Sequence, residues 1–180
     1  PEDGEWQEST GTWDGPPMKD LFFPDRRVKS AYEIDYRGLY EEGIRGLIFD
    51  IDNTLVNPNA PADDRAKRLF ARLRDMGFQT VILSNNTGTR ASIFAKDVGS
   101  TVVTRAMKPL PHKYRKAMQL MGTDAKTTVF IGDQVYTDIW GANNAGVISI
   151  LTEPLTTQEE FWVRWKRKLE APVRGNKKWK

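Results

Sequence analysis

The chain has 180 residues, 28% of them charged and none of them cysteine, with a formal net charge of +3. That length suits one ordinary domain with a real core; the lack of thiols excludes a disulfide framework and a thiolate zinc site. No window reaches the roughly 20 apolar residues of a membrane-spanning helix, so a cytoplasmic protein is expected, with at most a peripheral contact at the inner membrane face.

Charge is spread unevenly. Residues 1–17 carry five acids and no base, whereas 161–180 carry eight bases against the single acid Glu170. The basic excess belongs to the tail, so nucleic acid is not the expected partner of the core. PEDGEWQESTGTWDGPP, rich in Gly, Pro and acid and without periodicity, reads as a flexible acidic leader over 1–17, before Met18. The expected domain runs over 18–170, and a disordered basic tail over 171–180.

From Ala31 to Glu42, AYEIDYRGLYEE predicts an amphipathic helix stopped by Gly43. GLIFDI (46–51) predicts a strand, ADDRAKRLFARLRDM (62–76) a helix closed by Gly77, and QTVILS (79–84) a second strand. A helix follows over 89–97 up to Gly99, then the short strand TVV, then a helix over 112–121 after Pro109 and Pro111. TTVFIG (127–132) and VISIL (147–151) read as strands on either side of a helix near 137–145, and an amphipathic helix starts near Gln158. Strands apolar on both faces that alternate with helices predict an α/β fold, a Rossmann-like, doubly wound parallel sheet covered on both sides.

Three of these strands finish in polar residues: FDIDNT at 49–54, SNNTGT at 84–89 and GDQVYTD at 132–138. A parallel sheet gathers all three at its carboxyl edge, along with the loop holding Lys108. Asp50 and Asp52, two apart in extended backbone, leave the strand on the same side, where each is expected to push the other's pKa. One ionised and one protonated carboxyl suit a two-step phosphoryl transfer: one attacks phosphorus, the other protonates the leaving alcohol and then serves water as base. Carboxylates facing a phosphate dianion need a hard cation, and Mg²⁺ on Asp50 and Asp133 fits. Lys108 adds positive charge, and Ser84 with nearby backbone amides can donate to the phosphoryl oxygens. Taken singly, each motif also suits a turn, a cap or a solvated side chain; their succession is what points to catalysis.

That succession resembles the haloacid dehalogenase superfamily of phosphatases, motif by motif. FDIDNTLV is similar to its first motif, which implies Asp50 as nucleophile, Asp52 as general acid and base, and Thr54 in the supporting turn. SNN implies a phosphate contact for Ser84 with Asn85 beside it; MKP gives Lys108; GDQVYTD gives Asp133 to Mg²⁺ and Asp138 to its surroundings or to Lys108. On this resemblance the metal residues are Asp50, Asp52 and Asp133, and Lys108 serves both catalysis and phosphate binding. LFFPDRRVKS, RAMKP, GDQVYTDIWGANNAG and ILTEPL narrow the resemblance to the YqeG-like subclass IIIA group, related to phosphatidylglycerophosphate phosphatases.

No cap domain fits between Asp52 and the next helix or between Asn86 and Lys108, so an open site is expected, suited to phosphate on a lipid or macromolecule. EEFWVRWKRKL sets Phe161, Trp162, Trp165 and Leu169 among basic residues, which suits either an anionic bilayer contacted through 158–180 or a cap on the core. A phosphatase for a soluble metabolite or macromolecule, and a non-catalytic scaffold using the basic tail, are the competing readings. A phosphoacceptor signalling domain fits less well, since its acids would be adjacent rather than spaced by one. His112 is expected to be structural and the sequon at Asn85 unused; Arg90, on the helix after Ser84, could reach the open site, but an exposed position is the favoured reading. The oligomeric state is left open.

Overall fold

A computed structural model describes residues 21–85 and 88–156. The predicted leader, the predicted helix from Gln158 and the basic tail lie outside the described residues. In chain order the elements are β1 (Arg26–Val28), a 3₁₀ turn (Ala31–Glu33), α1 (Tyr36–Glu41), β2 (Gly46–Phe49), α2 (Asp64–Asp75), β3 (Gln79–Leu83) and α3 (Thr89–Val98). They continue with β4 (Thr101–Val103), α4 (His112–Met121), β5 (Thr128–Gly132), a π turn (Val135–Ile139), α5 (Trp140–Asn144) and β6 (Ile148–Thr152).

The strands form one six-stranded sheet in the order β1-β6-β5-β2-β3-β4, with parallel pairing throughout. Successive side chains on a strand point to opposite faces. Leu47 and Phe49 of β2 therefore join one apolar cluster with Phe70, Leu73 and Phe94 from α2 and α3, while Ile48 joins the other with Tyr114, Ala117 and Met118 from α4. Both faces of β2, β3 and β5 are covered, which is why these strands are apolar at nearly every position. The predicted doubly wound sheet is the fold observed.

Local signals explain where the helices lie. In α2, Ala66, Leu69, Phe70 and Leu73 recur at helical spacing and are buried, and the Asp63 side chain caps the first turn by accepting from Ala66 N–H at 2.7 Å. α4 covers the predicted range.

Three elements differ from expectation. The stretch 31–42 is not one helix. Ser30 and Asp35 each cap a separate short turn, and Ile34 between them is extended (φ −67°, ψ 135°). β1 has no counterpart among the expected strands; three residues, two of them exposed arginines, carry no alternation. It is pinned to β6 by Asp25, whose Oδ2 accepts Ser149 N–H at 2.7 Å. The expected helix near 137–145 is a π turn leading into the short α5.

The chain runs outward from β2 through β3 to β4, then returns to the other side of β2 as β5. The crevice where connections depart in opposite directions thus lies beyond the ends of β2 and β5, a position that leaves strand-end side chains facing one another. Residues 50–63 join β2 to α2 as a compact loop, with Asn53 N–H donating to the Val56 carbonyl at 2.8 Å. Among the described residues no domain is inserted there or between α3 and the Lys108 loop.

Candidate active site

Asp50 follows β2 directly, and its backbone N–H donates to the Ile131 carbonyl of β5 at 3.0 Å, so the ladder carries one residue past the strand. Asp133 follows β5 and is 9% exposed. Asp138 comes from the π turn and is 1% exposed. Oxygens of these three carboxylates lie within 4.8 Å of one another.

Lys108 reaches them from the loop after β4. Its Nζ lies 2.6 Å from Asp50 Oδ1 and 2.6 Å from Asp138 Oδ1. Arg105 and Met107, on the approach to this lysine, hold left-handed backbone (φ 49° and 51°), a costly conformation for residues other than Gly. Lys108 N–H also donates to Asn85 Oδ1 at 2.9 Å, which fastens the loop to the end of β3. Ser84, at that same strand end, is buried.

Buttresses fix the acids. Thr54, 1% exposed, donates from Oγ1 to Asp133 Oδ1 at 3.4 Å. Gln134 N–H donates to Asp138 Oδ2 at 3.2 Å. The buried Tyr114 hydroxyl lies 3.2 Å from the Asp138 carbonyl oxygen. Gly132 leaves room for the Asp138 side chain, because a Cβ there would fall 2.5 Å from Asp138 Oδ2.

Burial dominates the electrostatics. It pushes the Asp50 carboxyl up to about 7 against the pull of Lys108, while Asp138 adds to the rise and Asp52 contributes least. The expected push of Asp52 on Asp50 is therefore a minor effect. Asp133 is pushed up to about 8, first by burial and then by Asp138 and Asp50. Burial works against the Lys108 ammonium, yet Asp138 and Asp50 outweigh it and hold that pKa above the usual lysine range.

When ionised, three carboxylates against one ammonium leave a negative excess in a poorly hydrated place. The donors are hard oxygens, so the group fits Mg²⁺ or a similar cation. Both oxygens of Asp138 are engaged, one by Lys108 and one by Gln134 N–H, whereas no cation is paired with Asp133 among the described residues and its Oδ1 has the long Thr54 contact. Asp50 and Asp133 are accordingly the better-placed ligands, and Asp138 is the lysine's anchor.

Asp52 departs from expectation. Its carboxylate is outside the cluster of three: Asn59 N–H donates to Oδ1 at 2.8 Å, and Arg90 reaches it through both terminal nitrogens, NH2 at 2.9 Å from Oδ1 and NH1 at 3.1 Å from Oδ2. The carboxylates brought together are Asp50, Asp133 and Asp138, not Asp50, Asp52 and Asp133. Arg90, expected to be exposed, also donates from NH2 to the Ala60 carbonyl at 2.8 Å and so ties α3 to the loop after β2. Its position in the first turn of the helix that follows the SNN motif was the available signal. His112 is exposed at the start of α4 and takes no part in the cluster.

Residues 59–146 match the model of the haloacid dehalogenase-like hydrolases. The chain is 32% identical over 157 residues to "Probable phosphatase YqeG" of Bacillus subtilis (strain 168), covering 87% of this chain and 91% of that protein. It is 29% identical over 175 residues to "Phosphatidylglycerophosphate phosphatase 1, chloroplastic/mitochondrial" of Arabidopsis thaliana, and spans 49% of that protein's length. In fold it is similar to an uncharacterized protein from Corynebacterium glutamicum ATCC 13032, with a TM-score of 0.51 and 23% identity over 72% of this chain and 96% of the other. The Bacillus match and the hydrolase model agree with the strand-end acids and their lysine: the chain belongs to the haloacid dehalogenase-like hydrolases, in the group that contains YqeG.

Proposed function

We propose that the protein is a Mg²⁺-dependent phosphomonoesterase that acts through an Asp50 aspartyl-phosphate, with phosphatidylglycerophosphate at the cytoplasmic face of a membrane as its substrate. The observation that carries the chemistry is one lysine held between Asp50 and Asp138 with Asp133 beside them. The names of the relatives support the phosphatase class and the lipid. The absence of an inserted domain among the described residues leaves the site open to a headgroup presented by a surface.

In the first step an Asp50 carboxylate oxygen bonds to phosphorus as the bond from phosphorus to the alcohol oxygen breaks; the departing electron pair stays on that oxygen, which takes a proton from Asp52. In the second step water bonds to phosphorus and passes a proton to Asp52, while the Asp50 oxygen leaves with its electron pair and phosphate is freed. Lys108 and the Ser84 hydroxyl hold the phosphoryl oxygens, with Asn85 setting the Lys108 loop. Thr54 orients Asp133, and Asp138 orients Lys108. Mg²⁺ held by Asp50 and Asp133, alongside Asp52's part of the loop, would neutralise charge between phosphate and carboxylates.

Phosphate release from phosphatidylglycerophosphate in mixed micelles, compared with a panel of soluble phosphate esters and measured with Mg²⁺ and with EDTA, tests the proposal. Metal-dependent release that favours the lipid is expected. Equal or better turnover of soluble esters would remove the lipid assignment, and no release from any ester would remove the phosphatase.

A further inference from the structure

A groove of about 390 Å³ lies between the loop after β2 and α3, walled by Pro61, Ala62, Ile93 and Phe94 and flanked by Asn59 and Arg90. Asn59 and Arg90 are the residues that hold the Asp52 carboxylate. The groove therefore begins where the proposed proton donor is fixed. A group that donates to the leaving oxygen must touch it, so the alcohol side of a bound ester lies next to Asp52, and the rest of that alcohol has this groove as its neighbouring surface.

We infer that the groove is the leaving-group subsite and takes the hydrocarbon part of the alcohol. This rests on the phosphomonoesterase reading and adds the chemical class of the alcohol to it. Its volume is in the range of small-ligand sites, and its walls are mainly apolar. Arg90 donates to Asp52 and to the Ala60 carbonyl, and the other charged residue of the lining is Asp97. Ile93 is 55% exposed, an apolar side chain on the groove with its surface open to a ligand.

The test compares ethyl phosphate with octyl phosphate, the latter below its micelle concentration, in the presence of Mg²⁺. The ratio of kcat/KM for octyl over ethyl should exceed one in the wild type, with up to roughly fourfold gained for each methylene that the groove buries. Ile93→Asp should lower that ratio roughly tenfold. Leu120→Asp, at a residue of similar exposure near the end of α4 and outside the groove, should keep the wild-type ratio. A wild type that hydrolyses both esters with equal efficiency, or an Ile93→Asp ratio equal to the wild type's, would overturn the subsite and leave the phosphatase standing. A wild type inert toward both esters and toward every ester of the panel above would overturn the two together.

Discussion

Lys108 Nζ stands 2.6 Å from both Asp50 and Asp138, with 3% of the lysine side chain exposed, so the buried Asp138 and the partly buried Asp50 share a single ammonium. Removing the shared ammonium strands both carboxylates, at roughly 3–5 kcal/mol. Lys108→Met should therefore lower stability by about that amount in urea titrations run in EDTA, and should cut phosphate release by roughly 10²-fold or more. A variant as stable as the wild type would show that the ammonium is not the counter-charge it resembles.

Asp50→Asn separates catalysis from folding. The amide cannot form the acyl-phosphate, so release should fall by about 10³-fold or more. Because the Asp50 charge is disfavoured by burial, the neutral amide should melt no lower than the wild type at pH 8 without metal. Phosphate release within tenfold of the wild type would remove Asp50 as nucleophile.

Metal and pH should be linked. Asp50 at about 7 and Asp133 at about 8 are raised above their unfolded values, so the metal-free fold binds more protons than the unfolded chain between about pH 4 and 8. Their contribution to metal-free stability is full below pH 4 and is lost as pH rises through 7 and 8. A divalent cation needs the ionised carboxylates, so Mg²⁺ should raise Tm more at pH 8.5 than at pH 6. Thermal melts with EDTA or Mg²⁺ at both pH values decide this; a shift that shrinks as pH rises contradicts the assignment of ligands.

Arg90→Gln should loosen Asp52 and the loop after β2 together. Loss in kcat should be larger for ethyl phosphate, whose alkoxide needs a proton, than for 4-nitrophenyl phosphate, whose phenolate does not. A difference of roughly tenfold between the two esters is expected; equal losses would reduce Arg90 to a structural tie.

At Gly132, the added methyl of Gly132→Ala would meet Asp138 Oδ2 at 2.5 Å and Phe130 Cε1 at 2.7 Å. Asp138 must move, and the Lys108 contact with it. We expect a fall in kcat of about tenfold or more and a stability loss of roughly 1–3 kcal/mol, read by steady-state kinetics and urea titration.

The sheet was legible because β2, β3 and β5 are buried on both faces, which leaves uninterrupted apolar runs with polar residues at their ends. Asp50, Asp133 and Lys108 could be placed together from strand order alone. What stayed hidden depends on contacts distant in sequence. Arg90's place in the first turn after SNN hints at the site, but its partner Asp52 lies 38 positions back in the chain. Nothing local to 26–28 shows a strand, since its reason to exist is Asp25 bonded to Ser149. The π turn is likewise set by tertiary needs: Asp138 must face Lys108 while its carbonyl stays within reach of Tyr114.

Beyond β6 the chain touches the loop after β2, with Leu155 N–H donating to the Asn53 carbonyl at 3.1 Å and Thr156 Oγ1 to Asn53 Oδ1 at 2.8 Å. Asn53 is the immediate neighbour of Asp52. For anyone engineering this enzyme, a fluorophore carried at Thr156 itself would sit against the loop after β2 and report on movement of that loop.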